Sequence, residues 1–385
     1  MNCIRLGVIG VGMIGSLHLK NAALLERVRV TAVCDVVPGR VRAAAAEYGC
    51  RAYLDADELL RDGVCDAVVI ATPHYDHVPI GIAALDTGHH VLVEKPIAVH
   101  KAAAQRLLKA HKRNPDLAFA AMFQLRTDPQ YRTIKRLVDG GELGGLVRAN
   151  WIISDWFRTQ AYYDSGGWRA TWAGEGGGVL TNQAPHNLDL LQWICGMPRR
   201  VWATCSLGKR HRIEVEDEVT ACLEYPGGGT GVFITSTGEA PGTNRLEIAG
   251  DGGKLVLEAG VLTLTRNEVP AGEFLRTSPE RFARPATDTQ VLAIEGTGGR
   301  HAEILGNFVG AILDGTPLIA PAAEGIHSVE LANAMLYSSL TGQAVDLPLD
   351  GEAFERELEK LIAASTYVKP QVVPVADDDV ETSFR

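Results

Sequence analysis

The chain has few aromatic residues, no long apolar run and no surplus of positive charge. Only 6% of its 385 residues are Phe, Trp or Tyr, whereas 46% are apolar and 41 are glycine. The apolar residues fall in short runs broken by Gly, Pro and charge, none near the roughly 20 in succession that span a bilayer, so no membrane partner is expected. Lys and Arg together number 37 against 47 Asp and Glu, a formal charge of −10. Phosphate backbones are bound by clustered cations that displace counterions, so nucleic acid is not an expected partner either. The seven cysteines, at 3, 34, 50, 65, 195, 205 and 222, are odd in number and form no CxxC pair. They fit free thiols in a reducing compartment better than a disulfide framework or a zinc cage. Met1-Asn2-Cys3-Ile4-Arg5 enters strand-like sequence directly, without the charged, apolar and cleavage regions of a secretory signal, and a cytoplasmic location is expected.

A chain of this length exceeds what one core organises, and its rhythm changes once. Up to about residue 124, the β-branched runs Ile4–Ile9, Val28–Cys34, Ala67–Ala71, His90–Val93 and Leu117–Met122 alternate with segments of helical period. Strands apolar on both faces and separated by helices predict an α/β domain with a doubly wound parallel sheet. From 125 to 367 a helix at Pro129–Val138 and an aromatic strand at Val147–Phe157 lead to a glycine turn, Glu175-Gly176-Gly177-Gly178, and a helix at Asn182–Ile194. Strand-length segments between Arg200 and Leu264 are then punctuated by Pro226-Gly227 and Asp251-Gly252, as antiparallel strands are. Helices follow at His301–Leu313, Ala323–Leu340 and Gly351–Ser365, so the second domain reads as α+β around a large, mostly antiparallel sheet. Residues 368–385, with Asp377-Asp378-Asp379, read as a solvated tail.

The strand Ile4–Ile9 runs into Gly10-x-Gly12-x-x-Gly15, with Met13 and Ile14 at the start of the helix that follows. Such a turn brings the backbone close to a pyrophosphate and aims a helix amino terminus at it. The next strand ends in Asp35, twenty residues beyond Gly15, where a carboxylate would bind the adenosine ribose hydroxyls and repel a 2′-phosphate. NAD is therefore favoured over NADP, with Arg40 close enough to weaken the preference. In parallel sheets, ligands gather at the carboxyl ends of the strands, here Thr72-Pro73-His74 and Glu94-Lys95-Pro96. Lys95, held between a carboxylate and a proline, can have its pKa lowered by burial or donate to a carbonyl oxygen. His74 and His77 lack the thiolate or carboxylate cluster of a metal site, and no metal is expected.

Together with Ala71-Thr72-Pro73, His77, Gly141-Glu142-Leu143-Gly144, Gly176-Gly177-Gly178 through His186, and Asn307-Phe308 to Asp314-Gly315-Thr316-Pro317, these motifs resemble the glucose-fructose oxidoreductase / inositol dehydrogenase / MocA family over residues 4 to about 348. The resemblance implies a Rossmann domain, an open-faced second sheet that often mediates oligomers, and a bound nicotinamide dinucleotide. It implies cofactor contacts at Gly10, Gly12, Met13, Ile14, Asp35, Arg40, Thr72, Pro73, His74, His77, Glu94, Lys95 and Gln124. It further implies oxidation or reduction of a sugar or cyclitol hydroxyl, with Lys95 at the reacting oxygen and His186 as its acid/base companion.

The family's Asp-x-x-x-His motif is here Asn182-Gln183-Ala184-Pro185-His186, and an asparagine cannot accept a proton. On a helix from 182, Asn182, His186 and Asp189 share one face, so Asp189 is expected to hold His186. Trp151, Trp156, Trp168 and Trp172 crowd one stretch with Phe157, Tyr162 and Tyr163. Flat rings suit the C–H faces of a sugar, although a sheet face or subunit interface is also aromatic-rich. Asn182, Arg169, Trp168, Tyr163, Asp155 and Gln124 are the expected substrate contacts, and a dimer or tetramer through the second sheet is expected. Three readings remain open: a dehydrogenase, a glycoside-cleaving enzyme that recycles its cofactor, and a regulator that binds NAD and sugar without turnover.

Overall fold

The computed structural model describes residues 3–369, and the expected tail from 370 onward lies outside them. Six strands form the first sheet: β1 (Ile4–Ile9), β2 (Val28–Cys34), β3 (Arg51–Tyr53), β4 (Ala67–Ile70), β5 (His90–Val93) and β6 (Phe119–Ala121). Their order is β3-β2-β1-β4-β5-β6, every neighbouring pair parallel. The α/β expectation holds, with one strand added. β3 carries no apolar run because it is an edge strand of three residues, two of them exposed.

The order reverses between β1 and β4, and at such a point the connections leave in opposite directions and open a crevice. Gly10 sits there with φ +88°, and a Cβ on it would lie 2.6 Å from the Ala71 carbonyl oxygen. Glycine is what lets the ends of β1 and β4 close to this distance.

The second sheet has nine strands: β7 (Leu146–Ile153), β8 (Arg200–Leu207), β9 (Glu216–Glu224), β10 (Thr230–Ser236), β11 (Asn244–Gly250), β12 (Gly253–Glu258), β13 (Val261–Asn267), β14 (Thr287–Leu292) and β15 (Val345–Asp346). Their order is β14-β13-β12-β11-β7-β10-β9-β8-β15, and only β7 and β10 pair in parallel. Alternation along the strands sends Ala149, Trp151, Ile153, Ala221 and Phe233 into the core. The opposite face stays open, with Thr220, Cys222 and Trp202 exposed on it. Helices Pro185–Cys195 and Ala322–Thr341 pack against each other, the second also along β8.

The long helix joins the two cores. Its Ala322 and Val329 belong to the first core and its Leu331, Ala334 and Met335 to the second. Helix His301–Asp314, although late in the chain, sends Ile304, Leu305 and Phe308 into the first core against helix Met13–Ala23.

A buried ion pair ties the same junction. Lys101 Nζ donates to Glu330 Oε1 (2.6 Å) and to the Leu349 carbonyl (2.7 Å), while the Leu349 N–H donates back to Glu330 Oε1 (2.7 Å). Removing one member of such a pair leaves an uncompensated buried charge, whose cost exceeds the value of the pair itself. Lys101→Met is therefore expected to lower unfolding free energy by about 3 kcal/mol in urea titration. A loss below about 1 kcal/mol, the size of a surface pair, would show that the junction does not depend on it.

Candidate active site

Helix Met13–Ala23 begins at Gly12 with no side-chain cap and no acidic residue in its first turn, so its leading N–H groups and dipole face outward without a side-chain partner. A Cβ on Gly12 would meet nothing within 4 Å, whereas one on Gly15 would lie 1.8 Å from the Gly10 carbonyl oxygen. The first leaves room above the turn, and the second packs helix on strand. Buried Thr72 Oγ1, at the end of β4, has no hydrogen-bond partner. Free amides, open space and an orphaned hydroxyl beside one crevice fit a dinucleotide pyrophosphate.

Asp35 at the end of β2 accepts from the Val11 and Val37 N–H groups, both at 2.9 Å. Arg40 Nη1 lies 3.3 Å from the same carboxylate. The arginine that could have welcomed a 2′-phosphate is thus held by the group that would repel one. Asp35→Ser is expected to raise the NADP-to-NAD ratio of kcat/KM at least about tenfold, since one charged contact is worth about 1.4 kcal/mol or more. An unchanged ratio in steady-state assays with both cofactors would remove Asp35 from nucleotide selection.

Glu94 and Lys95 leave β5 in opposite directions. Glu94 turns inward, where its Oε1 lies 2.8 Å from His18 Nε2 and 3.9 Å from His301 Nε2. Burial alone would raise its pKa, but the hydrogen bond and charge of His18, with His301 and Lys95, hold it at about 2. It is therefore an anchor carrying a fixed negative charge. His301 is lowered to about 4 by burial, partly offset by Glu94. Neither histidine stands out in the sequence, although His18 lies on the inward stripe Gly15, His18, Leu19, Ala22 of its helix.

Lys95 Nζ crosses to the second domain and donates to the main-chain carbonyl of Asn182 (2.7 Å). Burial lowers its pKa from the ordinary 10.5, with Arg169 adding to that effect and Glu94 and Glu175 opposing it. His77 braces the loops around it, its Nδ1 2.8 Å from the Pro96 carbonyl and its Nε2 2.9 Å from the Thr72 carbonyl. Both its nitrogens face the protein's own backbone. His74 lies against Glu175 O (3.2 Å) and the Trp168 ring (5.2 Å between centroids).

The expected helix from Asn182 starts instead at Pro185. Residues 178–184 form turns, with the Asn182 N–H donating to the Gly178 carbonyl and the Ala184 N–H to the Val179 carbonyl. Glu216 pins them by accepting from the Gly178 and Leu180 N–H groups. A Cβ on Gly178 would lie 1.9 Å from the Glu216 carbonyl oxygen, so only glycine fits. Asn182 is therefore on a turn that faces Lys95, not on the face that carries His186.

His186, 4% exposed, points one nitrogen at Gln124 (3.4 Å) and leaves Nδ1 without a partner. Burial chiefly, then the Lys95 charge, puts its pKa well below 6.5, so it is a neutral base. Asp189 does not hold it, which corrects the expectation from helical spacing. Its two oxygens accept from Arg126 Nε (2.7 Å) and Nη2 (2.6 Å), and Gln192 donates to one of them. Arg126 is a buried guanidinium, 1% exposed, that also reaches Glu324 Oε2 (2.5 Å), and such a charge requires a carboxylate more strongly than a histidine does. Asp189→Asn is expected to cost about 3 kcal/mol of stability in chemical denaturation. Turnover of the folded fraction should keep its pH dependence, and a pH profile shifted at unchanged stability would restore the contact with His186.

The aromatic stretch divides. Trp151 and Trp172 are core residues. Tyr163, expected at the substrate, is buried with its hydroxyl on Thr237 Oγ1 (2.7 Å), and the neighbouring Tyr162 instead joins Arg169 and Asn182. The Tyr162 hydroxyl receives Arg169 Nη1 (2.9 Å) and Gln183 Nε2 (3.1 Å) and lies 3.4 Å from Asn182 Oδ1. The Arg169 guanidinium stacks over Tyr162 (4.9 Å) and Trp168 (4.7 Å). Asp155, also expected at the substrate, is exposed beyond the end of β7 with Gly242 against its Cα, apart from the hydrogen bonds of this cluster. Among the described residues no group of acidic, His and Cys side chains could hold a metal ion, and no helix is long and apolar enough to cross a membrane.

A crevice at the strand reversal, with a carboxylate at the second strand and a lysine facing a second domain, defines a two-domain protein of the NAD-binding oxidoreductase class. Residues 4–121 match the family described as "Oxidoreductase family, NAD-binding Rossmann fold", and residues 131–256 match the "GFO/IDH/MocA C-terminal domain". The chain belongs to the GFO/IDH/MocA family. It is 37% identical over 144 residues to the inositol 2-dehydrogenase of Salmonella paratyphi B, covering 37% of this chain and 43% of that protein. The match thus spans less than half the length of that relative. Identity to inositol 2-dehydrogenase 2 of Saccharopolyspora erythraea is 28% over 356 residues, 90% of this chain and 96% of that one. The WlbA dehydrogenase from Bordetella pertussis, solved with NADH and UDP-GlcNAcA, superposes with a TM-score of 0.76 at 26% identity, covering 90% of this chain and 100% of that one.

Proposed function

We propose that the protein transfers hydride between a carbinol carbon of a sugar, glycoside or cyclitol and NAD, with Lys95 and His186 exchanging the alcohol proton. The observation that carries this reading is the Lys95 ammonium at the end of β5, half-buried and reaching across to Asn182. When bound, NAD supplies the carbon that accepts or returns hydride. An alcohol gives up hydride readily only as its proton leaves, so a base is needed at its oxygen.

Lys95 and His186 answer that need from two sides. Lys95, its pKa lowered by burial, can take the proton as a neutral amine and return it as an ammonium. His186 has a free ring nitrogen and is uncharged near neutral pH. Glu94, fixed as an anion behind the lysine, keeps the site's charge balanced. The Trp168 ring, the stacked Arg169 and the Tyr162 hydroxyl supply a flat apolar face edged with donors, which matches a sugar ring. The relatives named for inositol and the neighbour solved with UDP-GlcNAcA support a polyhydroxylated ring as substrate. The same reading includes a homodimer or homotetramer through the open face of the nine-stranded sheet, where Trp202 is 47% exposed.

Activity is expected when NAD is incubated with a panel of polyols and glycosides and reduced nicotinamide is followed at its absorbance band. Oxidation should quicken with pH through a pKa below 10.5, because the working form of Lys95 is the unprotonated amine. Lys95→Met should retain NAD binding by fluorescence titration, lose that pH dependence and lower kcat about 10²–10⁴-fold, the usual contribution of a positioned acid/base. Turnover within about threefold of the parent would assign the proton to another group.

A further inference from the structure

We propose that Glu175 is a positioning residue that makes Asn182 present an oxygen, rather than an N–H, to the reacting alcohol, and that in the same stroke sets Arg169. The inference rests on the dehydrogenase reading above. Glu175 lies in the irregular loop before the glycine turn, is 1% exposed, and has no part in the proton transfer just described.

Its two oxygens hold two substrate-facing segments. Oε1 accepts from Asn182 Nδ2, and Oε2 accepts from the Ala170 N–H (2.5 Å). Ala170 has φ +54°, a left-handed conformation that a residue with a side chain rarely keeps without an outside constraint. The carboxylate supplies that constraint and so directs the preceding Arg169, whose Nη1 donates to the Tyr162 hydroxyl. An ionised carboxylate only accepts hydrogen bonds, so the edge of Asn182 that meets Glu175 is the NH₂ group. The remaining Oδ1 is the edge turned to the Tyr162 hydroxyl, while the main-chain carbonyl of the same residue holds Lys95. A neutral amide thereby offers the acceptor that an aspartate would, with the negative charge one hydrogen bond behind it.

Charged and titratable groups face Glu175 from each surrounding element: Arg169 on its own loop, His74 from the turn after β4 at the Glu175 carbonyl, Lys95 from the end of β5, Lys369 from the carboxyl-terminal segment, Tyr163 from helix Gln160–Asp164, and Glu216 from β9. Burial raises its pKa above 4.5, and Arg169, the Ala170 N–H and the Asn182 amide pull it back.

The test exchanges the acid and the amide on the full chain, in Glu175→Gln, Asn182→Asp and the double variant. Asn182→Asp sets two carboxylates face to face, which must share a proton, so one folded pKa rises. The stability that depends on this proton is present at low pH and lost as pH rises through the raised pKa, so the cofactor-free melting temperature should fall at about pH 8 and recover near pH 6. Its kcat/KM with the best panel substrate should follow the same course, lower by about tenfold or more at the higher pH. Glu175→Gln should lower kcat/KM for that substrate by about tenfold while leaving the KM for NAD unchanged. In the double variant the amide introduced at position 175 donates to the carboxylate introduced at position 182. Its melting temperature should return to that of the parent, and its kcat/KM to within about threefold. An Asn182→Asp protein indifferent to pH and to residue 175, or a double variant no better than the worse single one, overturns the proposal. If the parent converts nothing in the panel, the dehydrogenase reading fails, and the melting comparison alone still decides whether residues 175 and 182 are coupled.

Discussion

The hydrogen bond from Lys95 Nζ to the main-chain carbonyl of Asn182 ties the end of the parallel sheet to the second domain. Its donor is placed by the parallel sheet, at the carboxyl end of β5, and its acceptor by turns that Glu216 pins from the second sheet. A rotation between the domains would part these atoms and, with them, the strand-reversal crevice from the Tyr162–Arg169 cluster. The junction is held against such motion by the helix Ala322–Thr341, which contributes to both cores, and by the buried Lys101–Glu330 pair. Stability at the junction and chemistry at the site are therefore the same geometric requirement.

Charge around that contact follows from burial and from a few fixed partners. Glu94 is held as an anion by His18 and by its other neighbours, while Lys95 and His186 are both pushed toward their neutral forms by burial. In the proposed reaction, two bases beside one fixed anion would suit the removal of a proton from an alcohol. Farther out, Arg126 and Asp189 form a second buried pair that ties down the helix carrying His186 without touching its ring.

Periodicity reads the first sheet well because strands buried on both faces have little freedom of composition. It misses β3, whose three residues are too few and too exposed to leave a pattern. The places of Gly10, Asp35 and Lys95 are legible because each follows a strand end, and those of Gly12 and Gly15 because they open the helix after β1, where position along the chain maps directly onto position in space. The second domain's site is not, because Asn182 and Glu175 meet through turns that have no period. Extending the helix back to Asn182 puts it on one face with His186 and Asp189, and the actual start at Pro185 removes that face. Tyr163 and Tyr162 are adjacent, so sequence alone does not tell which ring enters the core. Arg126 gives no signal either, since a lone arginine after a strand reads as surface until a buried carboxylate is found beside it.

The direct test of the account is where the hydrogen goes. Wild-type protein and NAD would be incubated with a sugar or cyclitol that carries deuterium on the reacting carbinol carbon, and the label followed by mass spectrometry. Hydride transfer at the Lys95–Asn182 junction predicts deuterium in the reduced nicotinamide and a keto product that has lost it. Conversion of the sugar with the label still on its original carbon would contradict the account.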